Sequence, residues 1–197
     1  MIVDEINNEL LRLSQLGGVD VELIGESELG QPIYTAHVAS YDGKQFIIEG
    51  AIHAREYVTS YLLLELIRYY RNRELDFGIY FVPLVNPDGA RLVLEGVEWI
   101  DDPEKREFLI GINGGSTDFS LWKANANAVD LNVNFDADWG LHQDSNLESN
   151  LRRIVVYPFT YEVIKNIKIY KKYGSKMFKR CFLKTQQIDY TIEMPVK

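Results

Sequence analysis

A three-layer α/β fold, with helices on both faces of one sheet, is the architecture this chain predicts, and three observations predict it. Segments of strand character alternate with segments of helical periodicity from the N-terminus to a Pro87-Asp88-Gly89 turn. The side chains with metal-binding or catalytic chemistry fall where strands end, the place where such sheets gather ligands. With 197 residues and 46% hydrophobic content the chain is long enough to bury its own core, so residues 1–197 are expected to form a single domain.

The elements follow in order. Ile2, Ile6, Leu10, Leu13 and Leu16 recur at three- and four-residue spacing, which predicts an amphipathic helix stopped by Gly17-Gly18. "VDVELIG" (19–25), "PIYTAHVAS" (32–40) and "KQFIIEG" (44–50) read as strands, the last two joined by "YDGK", whose Asp42-Gly43 suits a hairpin. From Glu56 to about Arg73 the Leu- and Tyr-rich run predicts a helix buried over most of its surface. "FGIYFVPLVNPDGA" returns to strand character and ends in a turn, since Pro fixes φ and Gly tolerates positive φ. Residues 97–125 are charged and Gly-rich and read as a long surface excursion. "AVDLNVNFDADWG" predicts a short strand entering a loop, "TYEVIKNIKIYKKYG" a helix and "QIDYTIEM" a last strand.

Composition excludes several partners. A formal charge of -8 leaves no basic stripe, which argues against nucleic acid and against an anionic membrane surface. The one cysteine, Cys181, cannot close an internal disulfide, and "MIVDEINNELLRL" lacks the features of a signal peptide, so a cytoplasmic location is expected. The most apolar run, "YLLLELIRYY", is broken by Glu65 and Arg68, well short of the roughly 20 residues that span a bilayer. No Gly-rich phosphate loop follows an early strand, which disfavours a nucleotide-binding protein.

The chemistry concentrates in "GAIHAREYVTS". His53 and Glu56 stand at i and i+3 where a strand gives way to a helix, so their side chains can converge, and zinc takes imidazole nitrogen and carboxylate oxygen at about 2.0–2.2 Å. The bland reading of Glu56 is a first-turn acid placed well against the helix dipole.

Four segments in order, "GAIHAREYVTS", "VPLVNPDG", "WKANANAVDLNVNFDADWG" and "DYTIEM", resemble the signature segments of the zinc carboxypeptidase (carboxypeptidase A-like) family. Among its members the chain is most similar in character to the bacterial enzymes that cleave γ-D-glutamyl-diaminopimelate bonds. The resemblance implies a three-layer α/β/α mixed sheet, a zinc cofactor, a peptide substrate, and a chain missing part of the second half of the fold. It implies that His53 and Glu56 are zinc ligands, that Asp130 accepts a hydrogen bond from the zinc histidine, and that Arg55 lines a substrate subsite. Glu193 corresponds to the general base toward the attacking water.

The pattern also breaks. Asn127 stands where the family places the arginine that stabilises the oxyanion, and Val133 where it places the arginine that grips the terminal carboxylate; Asn132, the partner in carboxylate recognition, is retained. Valine cannot form a bidentate ion pair, which implies an altered specificity. The family's second zinc histidine has no clear counterpart. His37 lies in an upstream strand, and His142 in "DWGLHQDS" reads as a loop residue that reaches the metal only if its loop folds back. Two functions remain open on this reading: a zinc peptidase using His53, Glu56 and His142, with Glu193 as base, and a catalytically degenerate peptide-binding member of the same family.

Overall fold

A computed structural model describes residues 2–133 and 192–194. Helix α1 spans Ile2–Gln15 and buries Ile2, Val3, Ile6, Leu10 and Leu13 on one stripe, as the spacing predicts. Leu16, expected to extend that stripe, lies past the helix end and is 55% exposed.

Five strands form one mixed sheet: β1 (Asp20–Glu26), β2 (Pro32–Ala39), β3 (Lys44–Glu49), β4 (Phe77–Val82) and β5 (Ile192–Met194), in the spatial order β1-β2-β4-β3-β5. The β1–β2 and β2–β4 pairs are antiparallel, β3–β4 is parallel and β3–β5 is antiparallel.

The hairpin is therefore not where "YDGK" suggests. β1 and β2 form it, through a loop closed by Ser27 N–H donating to Gln31 O and Gly30 N–H donating to Ser27 O. The Asp42-Gly43 turn instead carries the chain over the start of β4, which inserts between β2 and β3. Ser40 N–H donates to Phe77 O, and Gly43, at φ +80°, passes so close that a Cβ would sit 2.6 Å from Asp76 O. A local turn signal cannot report a strand that arrives some thirty residues later.

Helix α2 (Val58–Tyr70) makes the crossover from β3 to β4. Its Leu63, Leu64 and Ile67 pack with the α1 stripe and with Ala36, Val38, Ile79 and Phe81 of the sheet to form the main core. Fully burying each such side chain contributes roughly 1.5–3 kcal/mol. Glu9 clamps the two helices, accepting from Arg12 and Arg68 at 2.7 Å each.

The "NPDG" segment does not end a strand in a turn; it starts helix α3 (Pro87–Glu95), with Asn86 as N-cap and Pro87 at the first position. Proline suits that position because the first helical N–H has no intrahelical partner anyway. Helix α4 (Pro103–Ile112) lies inside the expected surface excursion, capped by Asp102, whose side chain accepts from Glu104 N–H at 2.9 Å. Only Leu109 of α4 is buried, so the helix leaves almost no apolar periodicity to read. α3 and α4 share a second apolar cluster with Ala54, Phe119, Trp122, Ala124 and Ala128.

Residues 125–133 form a tight loop and a 3-10 turn (Leu131–Val133) rather than the expected strand. Asn125 Oδ1 accepts from both Asn127 N–H and Val129 N–H, and Ala128 takes a left-handed φ of +60°. This local side-chain bonding competes with strand formation. The helix expected at 160–174 lies outside the described residues. Among the described residues no helix is long and apolar enough to cross a membrane.

Candidate metal half-site at the end of strand β3

β3 ends at Glu49, and the chain turns through Gly50, Ala51 and Ile52 into a 3-10 turn (Ala54–Glu56) that runs into α2. Three contacts fix this turn. Ala51 N–H donates to Thr59 Oγ1 at 2.8 Å, and Ala54 and Arg55 N–H donate to the carbonyls of Lys123 and Trp122 at 3.0 and 3.1 Å. The Ala54–Glu56 turn also packs against α3.

On this support His53 and Glu56 converge: His53 Nδ1 lies 3.0 Å from both carboxylate oxygens of Glu56. Asp130 faces the other ring nitrogen, its Oδ1 3.3 Å from Nε2. Glu56 is about half exposed at its side chain, whereas Asp130 is 7% exposed, so one carboxylate faces solvent and the other is enclosed.

The electrostatics follow from that enclosure. Burial alone would push the His53 imidazolium pKa down, but Asp130 and Glu56 on either side of the ring outweigh it and hold the pKa above its usual value. Burial likewise pushes the Asp130 carboxyl up, and it is overcome by hydrogen bonding to and charge on His53, by Asn132 N–H and by the charge of Lys123, leaving the pKa below its usual value.

This arrangement fits one side of a zinc site. A nitrogen and a carboxylate converge on one point, and a second carboxylate stands behind the imidazole, where it would hold the tautomer that leaves Nδ1 free. Among the described residues no group of three or more His, Cys, Asp or Glu could hold a metal ion, so the half-site has two donors there. His142 lies outside the described residues.

The other predicted site residues divide. Arg55 is exposed beside Glu56. Asn132 is exposed, and its N–H donates to Asp130 Oδ1 at 3.1 Å; Val133 closes the same turn. Asn127 is exposed three residues before Asp130, and its side-chain carbonyl accepts from Lys105 Nζ of α4 at 2.5 Å. Of Glu193 only the backbone position is described. Its backbone pairs with Phe46, four residues before Gly50, which at ~3.3 Å per residue is about 13 Å along the strand from the end that carries His53. His37 is buried at 3% in β2, with its Nε2 3.1 Å from Gln45 Oε1, and takes no part in the half-site.

Sequence reasoning passed over Asn86, Lys105 and Lys123. For Asn86 a signal existed, since Asn directly before Pro marks a helix N-cap. The two lysines act across sequence gaps that no local pattern spans.

Residues 17–154 match the zinc carboxypeptidase family. The chain is 33% identical to gamma-D-glutamyl-L-diamino acid endopeptidase 1 of Lysinibacillus sphaericus, over 62% of this chain and 34% of that protein. It is 32% identical to the protein YqgT of Bacillus subtilis (strain 168), over 61% of this chain and 36% of the relative. The match thus spans about a third of the length of these relatives. Two solved structures share the fold. One is bovine thrombin-activatable fibrinolysis inhibitor in complex with tick carboxypeptidase inhibitor, with a TM-score of 0.57 and 22% identity over 86% of this chain and 55% of that one. The other is carboxypeptidase A from Helicoverpa armigera, with a TM-score of 0.58 and 20% identity over 80% and 38%. With a mixed α/β sheet shared with carboxypeptidases and a sequence match over most of its length, the chain belongs to the zinc carboxypeptidase family.

Proposed function

We propose that this protein hydrolyses peptide bonds with zinc held by His53 and Glu56, and that its substrates are cell-wall peptides with a γ-D-glutamyl-diaminopimelate linkage. The observation that carries the reading is the convergence of Glu56 and Asp130 on the two nitrogens of the His53 imidazole. When bound, zinc would supply Lewis acidity, polarising the scissile carbonyl and acidifying a water at neutral pH.

The chain's own groups take the remaining roles. Asp130 orients the His53 ring. Asn127, whose carbonyl accepts from Lys105, would donate its amide hydrogens to a developing oxyanion. His142 is the proposed third ligand and Glu193 the proposed base, a role that requires β5 to pair further toward the carboxyl end of β3. The substrate class is supported by the relative named as a γ-D-glutamyl-L-diamino acid endopeptidase and by Val133, which cannot pair with a terminal carboxylate as arginine does.

The test is zinc stoichiometry together with hydrolysis of a γ-D-Glu-diaminopimelate peptide by the wild type and by Glu193→Gln and His142→Ala. About one zinc per chain, turnover by the wild type, none with Glu193→Gln and weakened metal binding with His142→Ala are expected. A zinc-free protein without turnover would sink the reading.

A second reading is favoured by the backbone register of β5, which pairs Glu193 with Phe46 rather than with the end of β3: a peptide-binding member that has lost catalysis. Saturable binding of the same peptide with no turnover at any zinc concentration would establish it.

A further inference from the structure

Asn86 lies in the joint between the two chain segments that meet at His53. It is 2% exposed and has each polar side-chain atom engaged: Nδ2 donates to Ile52 O at 3.2 Å and to Ala124 O at 3.1 Å, while Oδ1 accepts from Gly89 N–H at 3.0 Å. Ile52 directly precedes His53, and Ala124 leads into the loop that ends at Asp130. Both carbonyls are acceptors, so neither can satisfy the other; a shared donor is what holds them together.

Gly89 shows how little slack the joint has. A Cβ there would lie 2.5 Å from Ala124 O, 2.6 Å from Asn86 Nδ2 and 2.7 Å from Ala54 Cβ. Helix, metal turn and loop therefore touch at one point with no room for a methyl group.

We infer that Asn86 is a positioning residue for the half-site: its amide sets the separation of the His53 and Asp130 segments, and zinc retention depends on that separation. The inference rests on the zinc reading proposed above. Asparagine suits the task because it carries two donors and an acceptor on a short stem. Aspartate has the same shape but only acceptors when ionised, and would set a charge against two carbonyl oxygens.

The test uses the full chain and three variants. Asn86→Asp and Gly89→Ala disturb the joint by independent routes. Ser27→Ala is the control, removing the 2.7 Å hydrogen bond from Ser27 Oγ to Asp88, which tethers the β1–β2 loop to the same helix. The measurements are zinc affinity by competition with a chromophoric chelator, the metal-free unfolding midpoint, and the ring 15N shifts of His53 at one fixed pH without metal. Asn86→Asp and Gly89→Ala are expected to lose about 10–100-fold in zinc affinity, the range found when partners behind metal ligands are changed, and to move the His53 ring resonances. Ser27→Ala is expected to lower the midpoint and leave both other readouts unchanged.

A folded Asn86→Asp with wild-type affinity and unchanged resonances overturns the inference, as does a Ser27→Ala that loses affinity in step with its midpoint. If the wild type binds no zinc, the proposed function fails on that result alone. The positioning role is then decided by the ring resonances: moved in Asn86→Asp they sustain it, unmoved they overturn it. Should Asn86→Asp not fold, Gly89→Ala carries the same comparison.

Discussion

His53 Nε2 stands 3.3 Å from Asp130 Oδ1, on the side of the ring away from Glu56. A carboxylate in that place fixes which ring nitrogen carries hydrogen and raises the basicity of the other. Asp130→Ala is therefore expected to weaken zinc binding by about 10–100-fold while His53 and Glu56 remain in place. Equilibrium competition for zinc measures it, and an affinity unchanged from wild type would show that Asp130 serves only the loop.

Much of this cluster was legible in the sequence because its pieces are local. His53 and Glu56 lie on one turn, and the "VDLN" segment around Asp130 is recognisable by family resemblance. What was not legible depends on contacts between distant segments. The insertion of β4 between β2 and β3 turned an apparent hairpin into a crossing, and α4 hid among charges because only one of its residues is buried. The roles of Asn86 and Lys105 emerge only when segments 34 and 22 residues apart are set side by side.

Asn127 and Lys105 form a pair that can be separated by mutation. Lys105 donates to the Asn127 side-chain carbonyl, and a cation on that oxygen strengthens the amide nitrogen as a donor. Asn127→Ala is expected to lower kcat about tenfold, less than the 10²–10³ lost with a fully enclosed oxyanion donor, with KM little changed. Lys105→Met should give a smaller loss in the same direction and no further loss in the Asn127→Ala background. Steady-state kinetics of the four proteins make the comparison, and additive effects would refute the coupling.

Glu49, at the last position of β3, gives the fold a pH dependence. Burial pushes its carboxyl from 4.5 up to about 7. Between those values the folded protein keeps a proton that the unfolded chain has released, so this contribution to stability is complete below about 4.5 and declines as pH rises toward 7. Denaturant unfolding across this range should show it for the wild type and not for Glu49→Gln; equal slopes would remove Glu49 as the cause.

Gly43 holds the crossing over β4. Alanine there would meet both an unfavourable φ of +80° and the carbonyl of Asp76 at 2.6 Å. Gly43→Ala is expected to cost about 1–3 kcal/mol, whereas Gly30→Ala, with a similar φ but open space around it, should cost less. Chemical denaturation of the two variants tests the difference, and equal losses would mean that backbone conformation alone sets the cost.

The spatial order β2-β4-β3 also sets an order of assembly. When β3 emerges during synthesis, neither of its neighbours, β4 and β5, has been made, and the chain must pass through α2 before β4 can fill its place. At ~5–20 residues per second this leaves β3 unpaired for a few seconds. A polypeptide released before Phe77 would carry His53 and Glu56 just beyond a strand with two bare edges, free to pair with other chains before a sheet exists to hold it.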